Sequence, residues 1–276
     1  MSQPNVEAIY FSPTNTTGTV VQHISRGLGQ DTPLCINLAN IKEREDFFNN
    51  SRPRADDTDF VIIGMPVYVG KIPRFLMEHF QKIDGKGKAT IAVVVYGNRG
   101  FDMALKQLVS LLDRSNYSVI GAGAFIGEHS FSSQLPISQG RPDEQDRLKA
   151  VDFGEQIRNS RDNLKQIKAE DVPGKRNIIV QMMPDEPPAP TFHPENCQDC
   201  GLCVTSCPMG AIDPQTKRHK SNEARKACLG CMRCVRGCPH NARSLYFSPP
   251  VKALMCNWLL KEAIRTRREP VTILKR

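Results

Sequence analysis

Eight of the ten cysteines fall in two copies of one pattern, and that pattern constrains the fold more than anything else in the chain. The first run is Cys197, Cys200, Cys203 and Cys207 followed by Pro208; the second is Cys228, Cys231, Cys234 and Cys238 followed by Pro239. Three thiolates at two-residue gaps come from one tight loop, and the fourth, before proline, is free to reach elsewhere. A [4Fe–4S] cube needs four thiolates converging from different directions, and in a two-run segment the fourth cysteine of each run serves the other cluster. This rule assigns Cys197, Cys200, Cys203 and Cys238 to one cluster, and Cys228, Cys231, Cys234 and Cys207 to the other. Paired C-x₂-C elements also make zinc sites, but zinc has no use for a third cysteine followed by Cys-Pro.

This segment resembles the bacterial two-cluster ferredoxin. Cys-Pro-Met-Gly-Ala-Ile (207–212) matches that family's turn, whereas the second run departs as Cys-Pro-His-Asn-Ala-Arg (238–243). Asn241 replaces the turn glycine, and asparagine tolerates a left-handed backbone. With four cysteines assigned to each cluster, His240 is expected at the surface. Cys35 and Cys256 lie in apolar contexts and read as packing residues.

Ahead of this segment, residues 1–170 alternate apolar runs with helical patterns. Strands are predicted at Val6–Phe11, Leu34–Leu38, Asp59–Pro66, Thr90–Tyr96 and Val119–Ile126, and helices at Thr17–Leu28, Ile72–Lys82, Met103–Arg114 and Pro142–Lys168. Runs rich in valine and isoleucine without alternation are buried on both faces, so the expected class is α/β, a doubly wound parallel sheet. Residues 171–192 read as a proline-rich linker containing Pro184, Pro187, Pro188 and Pro190, since proline removes donors and fixes φ. The cluster segment spans 193–247 as a small α+β domain. The basic tail, 248–276, carries Val251, Leu254, Met255, Trp258 and Leu259 at helical spacing, which predicts a helix packing its apolar face on a domain.

The loop after the first strand reads Ser12-Pro13-Thr14-Asn15-Thr16-Thr17-Gly18 before a helix. One helix cap needs one hydroxyl, and this loop offers four, at the place where α/β sheets bind phosphates. The spacing of Ser12, Thr14 and Thr17 resembles the FMN phosphate loop of flavodoxins. Pro66, Val67, Tyr68, Val69, Gly70 and Lys71 follow the third strand, and Tyr96, Gly97, Asn98, Arg99 and Gly100 follow the fourth. The flavodoxin resemblance implies that these two loops flank the isoalloxazine. Tyr68 would then contact the ring, and the backbone near Gly70 and Gly97–Arg99 would meet its polar edge. Flavodoxins surround the flavin with acidic residues; Lys71 and Arg99 depart from that and predict a less negative hydroquinone couple. Gly121, Gly123 and Gly127 lie in a strand pattern with no following helix, which argues against a dinucleotide fingerprint.

The chain as a whole resembles flavodoxin–ferredoxin fusion proteins of anaerobic bacteria. The resemblance implies two [4Fe–4S] clusters and FMN, with electrons passing among them and to or from a separate redox partner. An alternative is an FMN-dependent reductase fed by its own clusters, with Tyr68, Tyr96 and His129 as nearby proton donors and no substrate motif in view. The formal charge of +8 suits an acidic partner. Two clusters contribute roughly −4 and a flavin phosphate about −2, so the excess largely neutralises cofactors and does not call for nucleic acid. No run reaches the roughly 18 apolar residues of a membrane span, and the first strand pattern leaves no room for a signal peptide, so a cytoplasmic location is expected.

Overall fold

A computed structural model describes residues 4–49, 57–177 and 187–276. Five parallel strands form its centre: β1 (Val6–Tyr10), β2 (Leu34–Asn37), β3 (Phe60–Pro66), β4 (Ala89–Tyr96) and β5 (Ser118–Ile126). Their spatial order, β2-β1-β3-β4-β5, is the doubly wound order with a topological switch beside β1.

Strand alternation explains the two-sided burial. Ile9, Val61, Ile63, Ala92 and Val94 point into one apolar cluster, and Ala8, Tyr10, Ile62, Ile91 and Val93 into the other. Helices α2 (Ile41–Asn49), α3 (Arg74–Phe80) and α4 (Ala104–Arg114) cover the first face through Phe47, Leu76, Phe80, Leu105 and Leu108. Helices α1 (Thr16–Leu28) and α5 (Glu144–Ser160) cover the second through Val20, Ile24, Leu28, Phe153 and Ile157. The latter two approach closely only because Gly27 and Gly154 carry no side chain; a Cβ on Gly27 would sit 2.0 Å from the Val151 carbonyl oxygen.

Sequence and structure differ in three places. Helix α2 was not expected, because its burial rests on Phe47 while its other positions are mostly charged or polar. The last predicted helix ends at Ser160, not Lys168. The chain then turns through a short 3₁₀ segment so that Ile167 N can donate to Val119 O, 2.7 Å away.

The third difference concerns the tail. It is helical at α9 (Pro249–Leu254) and α10 (Lys261–Arg265), joined by a π turn, and then forms β8 (Val271–Ile273). That strand adds antiparallel to β5, pairing Ala122 with Ile273 and Ala124 with Val271. The predicted apolar stripe divides: Met255 and Leu259 pack with buried Leu260, Ala263, Leu135 and Ile137, whereas Val251, Leu254 and Trp258 stay exposed. Asn98 ties the tail down, its Nδ2 donating to Ala263 O at 2.7 Å and Thr266 O at 2.6 Å. Arg267 adds bonds to both oxygens of Asp143 and holds that carboxyl below its usual range.

The cysteine segment follows residues 178–186, which include Pro184 of the proposed linker and lie outside the described residues. It closes on itself through β6 (Thr191–Phe192) and β7 (Arg243–Ser244), an antiparallel pair, with short helices α6 (Leu202–Thr205), α7 (Asn222–Lys226) and α8 (Arg233–Arg236) between them. Of its side chains, Ala211, Ile212, Met232, Ala242 and Leu245 are buried apolar groups. That is little apolar area for about 55 residues, and domains this small commonly need a metal or disulfides to be stable. No helix among the described residues is long and apolar enough to cross a membrane.

Candidate cofactor sites

One cavity opens at the carboxyl ends of β1, β3, β4 and β5, where open α/β sheets bind ligands. Ser12, Thr14, Thr16 and Thr17 line its first wall; Pro66, Val67, Tyr68 and Gly70 line the second; Tyr96, Gly97 and Arg99 line the third. The three loops singled out in the sequence therefore meet in one place.

Ser12 organises the first loop. Its Oγ accepts from Gly18 N at 3.0 Å, and its own N donates to Asn37 Oδ1 at 3.1 Å. Residues 68–71 form a tight turn in which Tyr68 N donates to Lys71 O and Lys71 N to Tyr68 O, at 2.9 and 3.0 Å. Val69 (φ 49°) and Gly70 (φ 72°) both occupy the left-handed region. For a β-branched residue such as Val69 that conformation is costly, and strain of this kind gathers at ligand sites. The turn sets Tyr68 on the cavity wall. Burial pushes its phenol well above the usual value, and nearby Cys231 and Cys228 push it further.

Asn15, Lys71 and Asn98, counted among the FMN contacts from the sequence, do not line the cavity. Asn15 is the exposed left-handed residue before α1. Lys71 is exposed at the end of its turn. Asn98 is buried, its amide spent on the tail. Arg99 does line the cavity but is ion-paired with Asp102, so its charge is partly compensated and the expected rise in flavin potential is weaker than the sequence alone suggests.

Sequence reasoning missed the fourth wall, Gly127, Glu128, His129 and Ser130. The rule that ligands bind at strand ends applies to β5 as well, and would have found it. His129 was noted only as a neighbour of the flavin loops. Its Nδ1 accepts from Phe131 N at 3.1 Å, so the neutral ring carries its proton on Nε2. Burial holds this imidazole down at about 4, and Arg99 and Arg236 add to the effect. Gly97 makes room for it: a Cβ there would lie 2.5 Å from the His129 ring.

The eight cysteines divide between two cavities. Cys197, Cys200, Cys203 and Cys238 surround one cavity, and Cys207, Cys228, Cys231 and Cys234 a second. Each cavity is thus a cage lined by four cysteines, the residue type and number that an iron–sulfur cube requires. Burial pushes the thiols of Cys231 and Cys234 up to about 12, so near neutral pH only a bound metal makes them thiolates. His240 is exposed, as anticipated, although it borders the first cage.

The second cage is set against the sheet domain. Cys231 also lines the strand-end cavity, and its neighbour Leu229 packs against the sheet-domain core, as Val67 and Tyr68 do. Arg236 donates to His129 O and Ser132 Oγ, both at 3.0 Å, and pairs with Glu128 at 3.1 Å. Arg44 donates to Pro208 O at 2.8 Å. The first cage lies outward, with Cys200 and Leu202 exposed.

Residues 196–243 match the family described as "4Fe-4S dicluster domain". The chain therefore fuses an α/β domain of flavodoxin-like strand order to a segment that matches a 4Fe–4S dicluster domain. Over 59 residues the fusion is 34% identical to the iron–sulfur cluster-binding subunit of a menaquinone reductase from Nitratidesulfovibrio vulgaris. That stretch is 21% of this chain and spans 22% of the relative's length. Among solved structures, a flavodoxin from the domain Archaea aligns at 14% identity over 56% of this chain and 97% of its own, with a TM-score of 0.40. The rubredoxin oxygen:oxidoreductase of Desulfovibrio gigas aligns at 16% over 57% and 37%, with a TM-score of 0.39.

Proposed function

We propose that the fusion carries FMN in the strand-end cavity and two [4Fe–4S] clusters in the two cysteine cages, and passes electrons between them and a separate acidic redox partner. The observation that carries this reading is Cys231, which belongs to the inner cage and also lines the flavin cavity. Bound FMN supplies chemistry in one- or two-electron steps, and each cluster supplies one-electron steps. The protein's task is then positional. Ser12 and the threonines around it hold a phosphate at the start of α1. Tyr68 covers the ring site, and Leu229 with Arg236 fixes the inner cage against that wall. His129 keeps a neutral N–H at the cavity and can hydrogen-bond a ring heteroatom without adding charge. The outer cage, with exposed Cys200, is the entry for the partner.

In this reading residues 1–170, together with the returning strand at the end of the 248–276 tail, form the flavin unit. Residues 193–247 form the cluster unit, joined to it through the 171–192 connection. Anaerobic purification followed by iron, sulfide and flavin analysis of one sample tests the cofactor assignment. The expected result is about eight iron, eight sulfide and one FMN per chain. Four iron, zinc in place of iron, or no flavin would refute the corresponding part.

A further inference from the structure

The cluster domain contains a buried cation that no carboxylate among the described residues pairs with. Arg243, on β7, is 3% exposed and lines the outer cage with Cys197, Cys200, Cys203 and Cys238. It also lines a neighbouring cavity together with Pro190 and His219, and those two residues in turn line the inner cage. One guanidinium is thus within electrostatic range of both cysteine sets.

Its protein neighbours leave it uncompensated. It donates through Nη2 to the Lys217 carbonyl and lies 5.3 Å from the centre of the Phe192 ring. Its Nε is buried without a hydrogen-bond partner among the described residues, and no carboxylate among them pairs with it. Lys217, on the same cage wall, does have such a pair in Asp199. The internal repeat sharpens the contrast. The first run ends Cys-Pro-Met-Gly-Ala-Ile and the second Cys-Pro-His-Asn-Ala-Arg, so Arg243 occupies the position that Ile212, also 3% exposed, fills with a hydrocarbon.

Burying a charge is expensive unless an opposite charge meets it. The anions available are the clusters, each carrying about −2 with four thiolates and gaining one more negative charge on reduction. We propose that Arg243 is a counter-charge shared by both clusters, which stabilises the reduced form of each and raises both potentials together. The inference rests on the two-cluster reading above, and the iron count of the wild-type protein tests that reading separately.

The test is an anaerobic redox titration followed by electron paramagnetic resonance, on protein whose iron is counted in the same preparation. Arg243→Ile copies the first repeat. Each cluster's reduced fraction at a fixed potential should fall roughly tenfold, about 59 mV for a one-electron couple, and Arg243→Lys should recover most of the loss. Arg218→Glu gives a second route without disturbing a buried side chain. Arg218 is exposed, shares a cavity with Arg243 and stacks on the same Phe192 ring, 5.7 Å away. The introduced carboxylate should lower both couples, whereas exposed Lys82→Glu, in the sheet domain ahead of β4, should leave them nearly in place. Eight iron with neither couple moved, or only one, overturns the proposal. If Arg243→Ile fails to load iron, Arg218→Glu decides alone: both couples lower supports the shared charge, and an unchanged pair overturns it.

Discussion

The two domains are held together by different forces. In the flavodoxin-like domain nearly every residue of β1, β3, β4 and β5 is buried, and two apolar clusters fill both faces of the sheet. In the cysteine-rich domain buried Lys217 and Arg243 stand among only a few buried apolar side chains, and the eight cysteines line the cavities between its short elements. Hydrophobic burial folds the first; the second depends on the metal its thiols would bind. A single chain can therefore combine a rigid frame with a unit whose order follows its iron content.

The largest effect should come from removing iron. Chelation is expected to abolish amide-exchange protection at the β6–β7 pair, including the His193 N to Ala242 O bond, while protection of β1, β3 and β4 persists. Simultaneous loss in both domains would break the contrast. The converse perturbation is Phe153→Ala, in α5 against Phe125. It should cost the sheet domain about 3–5 kcal/mol, read as a lower unfolding midpoint, with cluster absorbance unchanged until the sheet itself unfolds.

The boundary between the domains has a pH signature. His129 titrates near 4 in the folded chain, below the ordinary value of about 6.5. Between those values the unfolded state binds more protons, so stability falls as pH drops from 6.5 toward 4 and levels off below. The expected loss between pH 6.5 and 5 is about 1.6 kcal/mol, and His129→Gln should flatten that slope, leaving Glu128, Arg99 and Arg236 around it. An unchanged slope would mean that His129 is not held neutral. The smallest effect is local. Ser12→Ala removes the acceptor for Gly18 N and one hydroxyl from the phosphate loop, and should weaken flavin binding by about 1 kcal/mol, or roughly fivefold, measured by fluorescence titration of the deflavinated protein.

Much of this was legible in the sequence, because its strongest signals are local. Cysteine spacing encodes the cages, and the valine-rich runs at β3 and β4 encode buried parallel strands. The hydroxyl-rich loop 12–17 encodes the phosphate wall. What escaped depends on long-range contacts. Val271–Ile273 is three residues flanked by charge, and becomes a strand only because β5 offers it an open edge. Asn98 looks like a flavin-loop residue until the tail takes its amide. Leu229 and Arg236 sit between cysteines and read as spacers; their partners, the sheet-domain core and Glu128, belong to the other domain.

The proposed electron path runs in one order: partner, outer cluster, inner cluster, flavin. Rapid mixing of two single-cage variants tests it most directly, with a low-potential donor added and flavin absorbance followed. Cys200→Ser should slow entry from the donor, while electrons already on the inner cluster still equilibrate with the flavin. Cys231→Ser should keep the outer cluster reducible and stop its electrons from reaching the flavin. The reverse pattern, with flavin reduction intact in Cys231→Ser and internal equilibration lost in Cys200→Ser, would contradict the arrangement.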